Sequence, residues 1–405
     1  MDTPRLPPLV LGVVLGGLYC AALVASLGGP LRGDELYHYA QVHLFRSGDL
    51  RILDRYLTTI PGFHAAVASV MAACGLDSPG AARAINAGFG LAAAAGFHAL
   101  RRRLWPGTET IATAQFVALP IVAPLFFLIY TDVLALALIL WAMVAALAGR
   151  HAWAALALCG VVLVRQNDVV WAAFAAVLTA WPLLQERGRG GTLRPLLALW
   201  PYLVPIAGFC AFWAWNGSIS LSREQAALHP LTLRLGNPYF ALLLAGALLP
   251  LQVVASLRRF GEAVRAHPWL SVLPVAGFVL YAWGFHADNP YNSALPDVLP
   301  RNALLMRLDA DLAWRLCAGL VMVLAACGLG SVVLRPRGAA LLYPFAALFL
   351  AASWLIEQRY AIVPLVLWLA FREQRGRAIE YATLALWLAL AVCVMAGVLG
   401  GRYFL

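Results

Sequence analysis

Within eight residues, Asp34, Glu35, His38 and Gln41 bring together two carboxylates, an imidazole and an amide, directly behind an apolar run over 6–27. Asp34 and His38 stand four apart, and so do Tyr37 and Gln41, so a helix would put each pair on one face. A carboxylate in that position can take a proton from a sugar hydroxyl, with the imidazole and amide binding the sugar beside it. In a solvated loop-helix the same residues would be ordinary caps. Five further constellations follow. Thr58-Thr59-Ile60-Pro61-Gly62-Phe63-His64 reads as a turn into a short helix. Tyr130-Thr131-Asp132-Val133 sits between two apolar runs, where Asp132 is either a helix cap or a second site carboxylate. Val164-Arg165-Gln166-Asn167-Asp168 again separates two runs. There an Arg165–Asp168 pair can cap two helices, or Arg165 can aim its planar fork of donors at a phosphate. The same two readings apply to Leu355-Ile356-Glu357-Gln358-Arg359-Tyr360. His286-Ala287-Asp288-Asn289-Pro290-Tyr291 opens a polar stretch that ends near Arg301 and Arg307.

The elements that must position these residues are membrane helices. Apolar residues make up 62% of the 405 positions and charged residues 12%. Soluble domains hold about 45–50% and roughly 25%, so lipid must cover the surplus. Hydrocarbon about 30 Å thick needs about 20 apolar residues in a helix. Runs of that kind fall near 8–28, 81–100, 111–129, 132–149, 152–164, 167–185, 195–215, 238–256, 269–285, 312–334, 340–356, 359–371 and 379–398. They leave no polar block for a separate soluble domain, so 1–405 is expected to be one membrane domain. The first run is long for a signal peptide and reads as an uncleaved helix. Pro61–Leu76 is apolar but short, and is expected at the interface or re-entrant.

With that segment not spanning, Arg5, Arg101–Arg103, Arg150, Arg187, Arg189, Arg194, Arg258, Arg259, Arg265, Arg335, Arg337, Arg372, Arg375 and Arg377 share one side. The excess points to a cytoplasmic N-terminus. The other side receives most of the acids and three long loops, 29–80, 216–237 and 286–311, and all six constellations lie on it. Every basic residue is Arg, which with the Ala, Gly and Leu content points to a GC-rich bacterial genome. No basic polar segment suits nucleic acid. The seven cysteines form no CxxC pair and read as small apolar residues.

Taken in order, several stretches resemble the eukaryotic dolichyl-phosphoglucose-dependent alpha-1,2-glucosyltransferases. They are Asp34-Glu35 with His38 and Gln41, Thr58-Thr59 with Pro61-Gly62, Tyr130-Thr131-Asp132-Val133, Arg165-Gln166, Asn216-Gly217 with Ile219 and Leu221, His286-Ala287-Asp288-Asn289, and Leu355-Ile356-Glu357 with Arg359-Tyr360. The chain departs from the family pattern at Asn167-Asp168, Ser222-Arg223-Glu224-Gln225 and Pro290-Tyr291-Asn292. The latter two fall in external loops, where an acceptor would be read.

The resemblance implies an all-α polytopic protein of the C-type glycosyltransferase fold, with about 12–14 transmembrane helices and periplasmic juxtamembrane helices after the first. It implies transfer of a hexose, glucose first, from a polyprenyl-phosphate donor to a hydroxyl of a glycan or lipid-linked acceptor, with inversion. A bacterial inner-membrane protein with a periplasmic site is expected. In that reading Asp34 is the general base with Glu35 beside it. Arg165 and Arg359 face the phosphate. His38, Gln41, Asp132, Gln166, Asp288, Asn289, Glu357 and Tyr360 complete the substrate-binding set. No cofactor is expected; a divalent metal between Asp34 and Asp132 stays open, though nothing in the spacing requires one. A transporter or flippase of a lipid-linked sugar, and a non-catalytic membrane subunit, are the rival readings.

Overall fold

The computed structural model describes residues 8–53, 56–187 and 197–404. Arg5, Arg189 and Arg194, used in the charge count, lie outside these residues. The described chain is helical, with isolated bridges only and no strand.

Helix α1 (Pro8–Leu27) is apolar on all sides and only 11% of its spanning window is buried, so lipid must cover the rest. Two short helices follow outside it, α2 (Glu35–Arg46) and α3 (Gly62–Ala73). The first half continues with α4 (Pro79–Leu104), α5 (Glu109–Ala118), α6 (Thr131–Leu147), α7 (His151–Val164) and α8 (Val170–Arg187). Helix α4 packs along α6, and α6 along α7. After α9 (Leu203–Asn216) the second half holds α10 (Gly236–Leu248), α11 (Pro250–Ala266), α12 (Val272–Gly284), α13 (Pro300–Ala310) and α14 (Leu312–Gly330). It closes with α15 (Leu342–Ala351), α16 (Ile362–Phe371) and α17 (Arg377–Leu399).

Among the described residues, four helices have the length and composition to cross a membrane: Leu9–Leu27, Gln166–Gln185, Leu312–Gly330 and Arg377–Leu399. Many other apolar runs are cut short. The expected 238–256 span is two helices, α10 and α11, meeting at 105° where Pro250 starts the second. The expected 111–129 span stops at Ala118, and a 3₁₀ turn over Ala123–Phe127 replaces its end. Proline explains part of this pattern. Pro205, Pro238, Pro274, Pro344 and Pro364 each stand third in their helix. In the first turn a missing N–H leaves no bond unmade, so these residues tolerate a helix start but not a continuous span.

Candidate functional site

A cavity of about 530 Å³ opens where α2, the start of α6, the end of α7 and the segment before α16 converge. Its wall carries Asp34, His38, Tyr130, Arg165, Gln166, Arg301, Glu357, Arg359 and Tyr360. The local backbone explains how each arrives there.

Gly33 adopts φ +52°, and a Cβ there would sit 3.2 Å from the Tyr130 hydroxyl, so the turn into α2 favours glycine twice over. Asp34 follows as the N-cap of α2 but caps no N–H with its side chain. Its carboxylate instead accepts a hydrogen bond from Arg359 Nη2 at 3.0 Å and is 48% exposed. Glu35, one position on, points the other way and is fully buried. It accepts from Arg83 Nε (2.8 Å) and Nη2 (2.6 Å), and from the backbone N–H of Ile129 (3.0 Å) and Arg32 (3.1 Å). Arg83 also donates to the carbonyls of Ser26, Gly29 and Pro30. This buried pair ties the end of α1, the turn and α4 together, and so fixes where Asp34 begins. Glu35 does not face the cavity; its role is to anchor.

His38 is half-buried on the cavity wall, with its Nδ1 2.9 Å from Nε2 of the buried His64. Whichever tautomer holds, one of these nitrogens donates and the other accepts. Burial, and then the positive charge of Arg359 and Arg165, lowers the His38 pKa to about 3, so the imidazole is neutral at physiological pH. Gln41 shares the helix face but not the cavity. Its amide donates to the Arg51 carbonyl at 2.9 Å and accepts from the Leu53 N–H at 2.7 Å, holding the loop behind α2.

Asp132 is buried in the first turn of α6 and pairs with Arg165 at 2.6 Å, with its other oxygen 3.8 Å from Arg359. Arg359 thus stands between Asp34 and Asp132, the two carboxylates considered as a metal pair. Arg165 also faces Asp168 at 3.6 Å. Arg359 further donates to Glu357 at 2.6 Å and lies 5.1 Å from the centre of the Tyr130 ring. Glu357 is reached by Arg301 at 3.3 Å as well. Among the described residues, three guanidinium groups at this wall therefore meet four carboxylates: Asp34, Asp132, Asp168 and Glu357.

Two asparagines that sequence reasoning did not select hold the segment that presents Glu357 and Arg359. Asn237 donates to the carbonyls of Ser353 and Leu355 and accepts from the Glu357 N–H at 2.9 Å. Asn292 donates to the Ile356 carbonyl at 2.8 Å and accepts from its N–H at 3.0 Å. Gln166 does the same for the opposite wall. It donates to the carbonyls of Thr58 and Ile219, both at 2.7 Å, and accepts from the Ile60 N–H at 3.1 Å. Gly62 permits this approach, because a Cβ there would lie 2.5 Å from the Leu163 carbonyl oxygen.

Asp288 and Asn289 are not brought to the cavity. Asp288 is half exposed, paired with Arg234 at 2.9 Å and bonded by the Trp354 indole at 2.7 Å. Asn289 is buried, caps the following turn through the Tyr291 N–H, and donates to the Leu228 carbonyl. The cavity instead recruits Arg301, His229, Tyr56, Gln225 and Ser220. Of these, Arg301 carried a signal as the charge near the end of a long external loop, and Gln225 as part of the 222–225 departure from the family pattern.

No curated protein matches this chain. Among solved structures, the archaeal oligosaccharyltransferase AglB from Archaeoglobus fulgidus, in complex with an inhibitory peptide and a dolichol-phosphate, is 13% identical with a TM-score of 0.41. That likeness covers 96% of this chain and 56% of that one, so this chain spans about half the length of its neighbour. The stretch from just before Asp34 to beyond Asp168 matches a known family. Residues 32–195, which carry Asp34, His38, Asp132, Arg165 and Gln166, match the model of the DIE2/ALG10 family.

Proposed function

We propose that this integral membrane protein is a glycosyltransferase that moves a hexose from a polyprenyl-phosphate donor to a hydroxyl of a glycan or lipid-linked acceptor. One observation carries the reading most. The exposed Asp34 carboxylate shares a cavity with Arg165, Arg301 and Arg359, within and beside the family-matched region. In this scheme Asp34 takes the proton from the acceptor hydroxyl as its oxygen attacks the anomeric carbon. The bond from that carbon to the phosphate oxygen breaks, and the lipid phosphate leaves with the electron pair. Guanidinium groups suit that anion through paired donors. His38, neutral and half-buried, can bind a sugar hydroxyl as donor or acceptor. Glucose as the sugar, an alpha-1,2 linkage and inversion rest on the family resemblance, as does the C-type fold. The site would face away from the cytoplasm, by the arginine bias.

The test is transfer of radiolabelled sugar from synthetic polyprenyl-phosphate glucose by purified protein, with total lipid and glycan extract as acceptor. Wild type should form a labelled product that Asp34→Asn protein forms 10²–10⁴-fold more slowly, roughly the range for a lost general base. No product from glucose, mannose or arabinose donors with well-folded protein would overturn the reading in favour of transport or a subunit role.

A further inference from the structure

A second cavity, of about 500 Å³, lies between α10, α11, α12 and α14. We infer that it holds an acyl chain of an anionic phospholipid, with the phosphate seated on arginines at one end. Its lining is almost wholly apolar, and among the described residues Arg259 is the one charge in it. Gly277 and Gly330 keep it open, since a Cβ at either would meet no atom within 4 Å. Val272, Leu273, Val275 and Leu280 leave the outer face of α12 exposed and apolar, so the groove is reached from the bilayer. Along α14 the lining runs from Gly319 to Ser331 and along α12 up to Tyr281, roughly 16–18 Å at 1.5 Å per residue. Hydrocarbon about 30 Å thick gives each leaflet about half of that. The chain of a one-leaflet lipid fits this length, whereas a polyprenyl chain long enough to cross the bilayer overruns it.

The charged end sits where a headgroup would. Helix α11 leaves α10 at 105° and is amphipathic, with Gln252, Val253 and Ser256 buried and Arg258, Glu262 and Arg265 exposed. A basic helix of this kind lies in the membrane surface, and Trp269, 63% exposed just beyond it, suits the same depth. Arg259 pairs with Glu373 at 2.8 Å and Arg258 with Glu262 at 2.9 Å. Arg375, on the Glu373 loop, donates to Ser256 Oγ at 2.8 and 3.0 Å and makes no ion pair among the described residues. Arg265 donates to the Gly261 carbonyl and likewise makes none. Four guanidinium groups therefore face two carboxylates here. A topological charge bias alone would leave them solvated, but a basic rim around an apolar groove between membrane helices is the arrangement that recruits an anionic headgroup. The lipid would brace α10, whose Tyr239 and Leu242 line the groove and whose Asn237 holds the Glu357 segment.

The experiment uses the full chain in detergent, stripped of copurified lipid, and follows the thermal melting midpoint while dioleoylphosphatidylglycerol is titrated. The midpoint should climb saturably by a few degrees, as for a ligand that binds the folded state alone. Dioleoylphosphatidylcholine, which lacks the net charge, and glycerol phosphate, which lacks the chain, should each move it far less. Gly277→Leu fills the groove where space is open, so it should keep the lipid-free midpoint and lose the phosphatidylglycerol shift. If that variant does not fold, Gly330→Leu fills the other open position and carries the same expectation. Arg375→Gln should raise the half-saturating concentration about fivefold, the value of one arginine near an anionic headgroup. An equal shift from phosphatidylcholine, as for lipid that merely coats the surface, would overturn the site. So would an equal shift from glycerol phosphate, or a full shift in the leucine variant. Displacement of phosphatidylglycerol by a lower concentration of polyprenyl phosphate would overturn it too, because the groove would then belong to the isoprenoid lipid.

Discussion

The proposed function gives the neighbours Asp34 and Glu35 opposite duties, and separating them is the sharpest test of this site. Glu35 is fully buried and accepts four hydrogen bonds, two from Arg83 and two from backbone N–H groups. Glu35→Gln removes its charge, leaves Arg83 without its counter-ion and sets an amide NH₂ against donors. Breaking a buried pair from one side costs about 3–5 kcal/mol. Asp34 is 48% exposed and holds one hydrogen bond to Arg359, so its loss should cost about 0–1 kcal/mol of stability. Catalytic loss should run the other way. Asp34→Asn should reduce turnover about 10²–10⁴-fold with a near wild-type melting midpoint. Glu35→Gln should melt several degrees lower yet retain much of its turnover per folded molecule. The assay is thermal unfolding in detergent alongside radiolabel transfer at a temperature where both variants are folded. A Glu35→Gln protein as heat-stable as wild type but inactive would refute the division of roles.

Three further outcomes follow from the same geometry. His38 has its pKa lowered to about 3 from an ordinary 6.5, chiefly by burial, so the folded state binds a proton less readily than the unfolded one. Its contribution to stability is therefore whole above pH 6.5 and is lost as pH falls from there toward 3, which melting curves across pH 4–8 would reveal. The acid limb of a transfer–pH profile should keep its position in His38→Gln protein; a shift would mean that His38 titrates in the working range. Asp288→Asn should leave transfer within about twofold of wild type and cost about 0–1 kcal/mol, since its pair with Arg234 is half exposed and outside the cavity. A loss beyond tenfold in rate would place Asp288 at the substrate after all.

Much of the site was legible because charges are rare in this chain, so each one between apolar runs drew notice. Asp34, Arg165, Glu357 and Arg359 converge as the sequence reading expected. Which of two adjacent carboxylates faces the cavity was not legible. Successive helix residues point about 100° apart, and the sequence does not say where Arg83 will lie. Gln41 illustrates a related limit. Helical spacing does place it on the Asp34–His38 face, yet the loop at 51–53 folds back and consumes its amide. Asn237 and Asn292 gave no signal, because backbone clips have no spacing rule. Helix lengths also escaped composition. Proline third in a helix looks the same in sequence as proline inside a longer span, and only the turns before α9, α12 and α16 show which it is.

If the proposed lipid-phosphate donor binds here, the surplus of carboxylates over guanidinium groups bears on which other lipids can compete with it. A bilayer is crowded with phosphates that the protein must ignore. Free arginines at its surface would be occupied by anionic phospholipids. Here each arginine already has a carboxylate partner, so a headgroup gains little from its phosphate alone and must displace an existing ion pair to bind. A sugar phosphate can offset that exchange through its hydroxyls, whereas phosphatidylglycerol brings only a glycerol. The apparent donor affinity should then change less than about twofold as phosphatidylglycerol is raised in the nanodisc, and strong competition would show that the pairs do not screen. On this view the ion pairs make the cavity selective among lipids of the same charge.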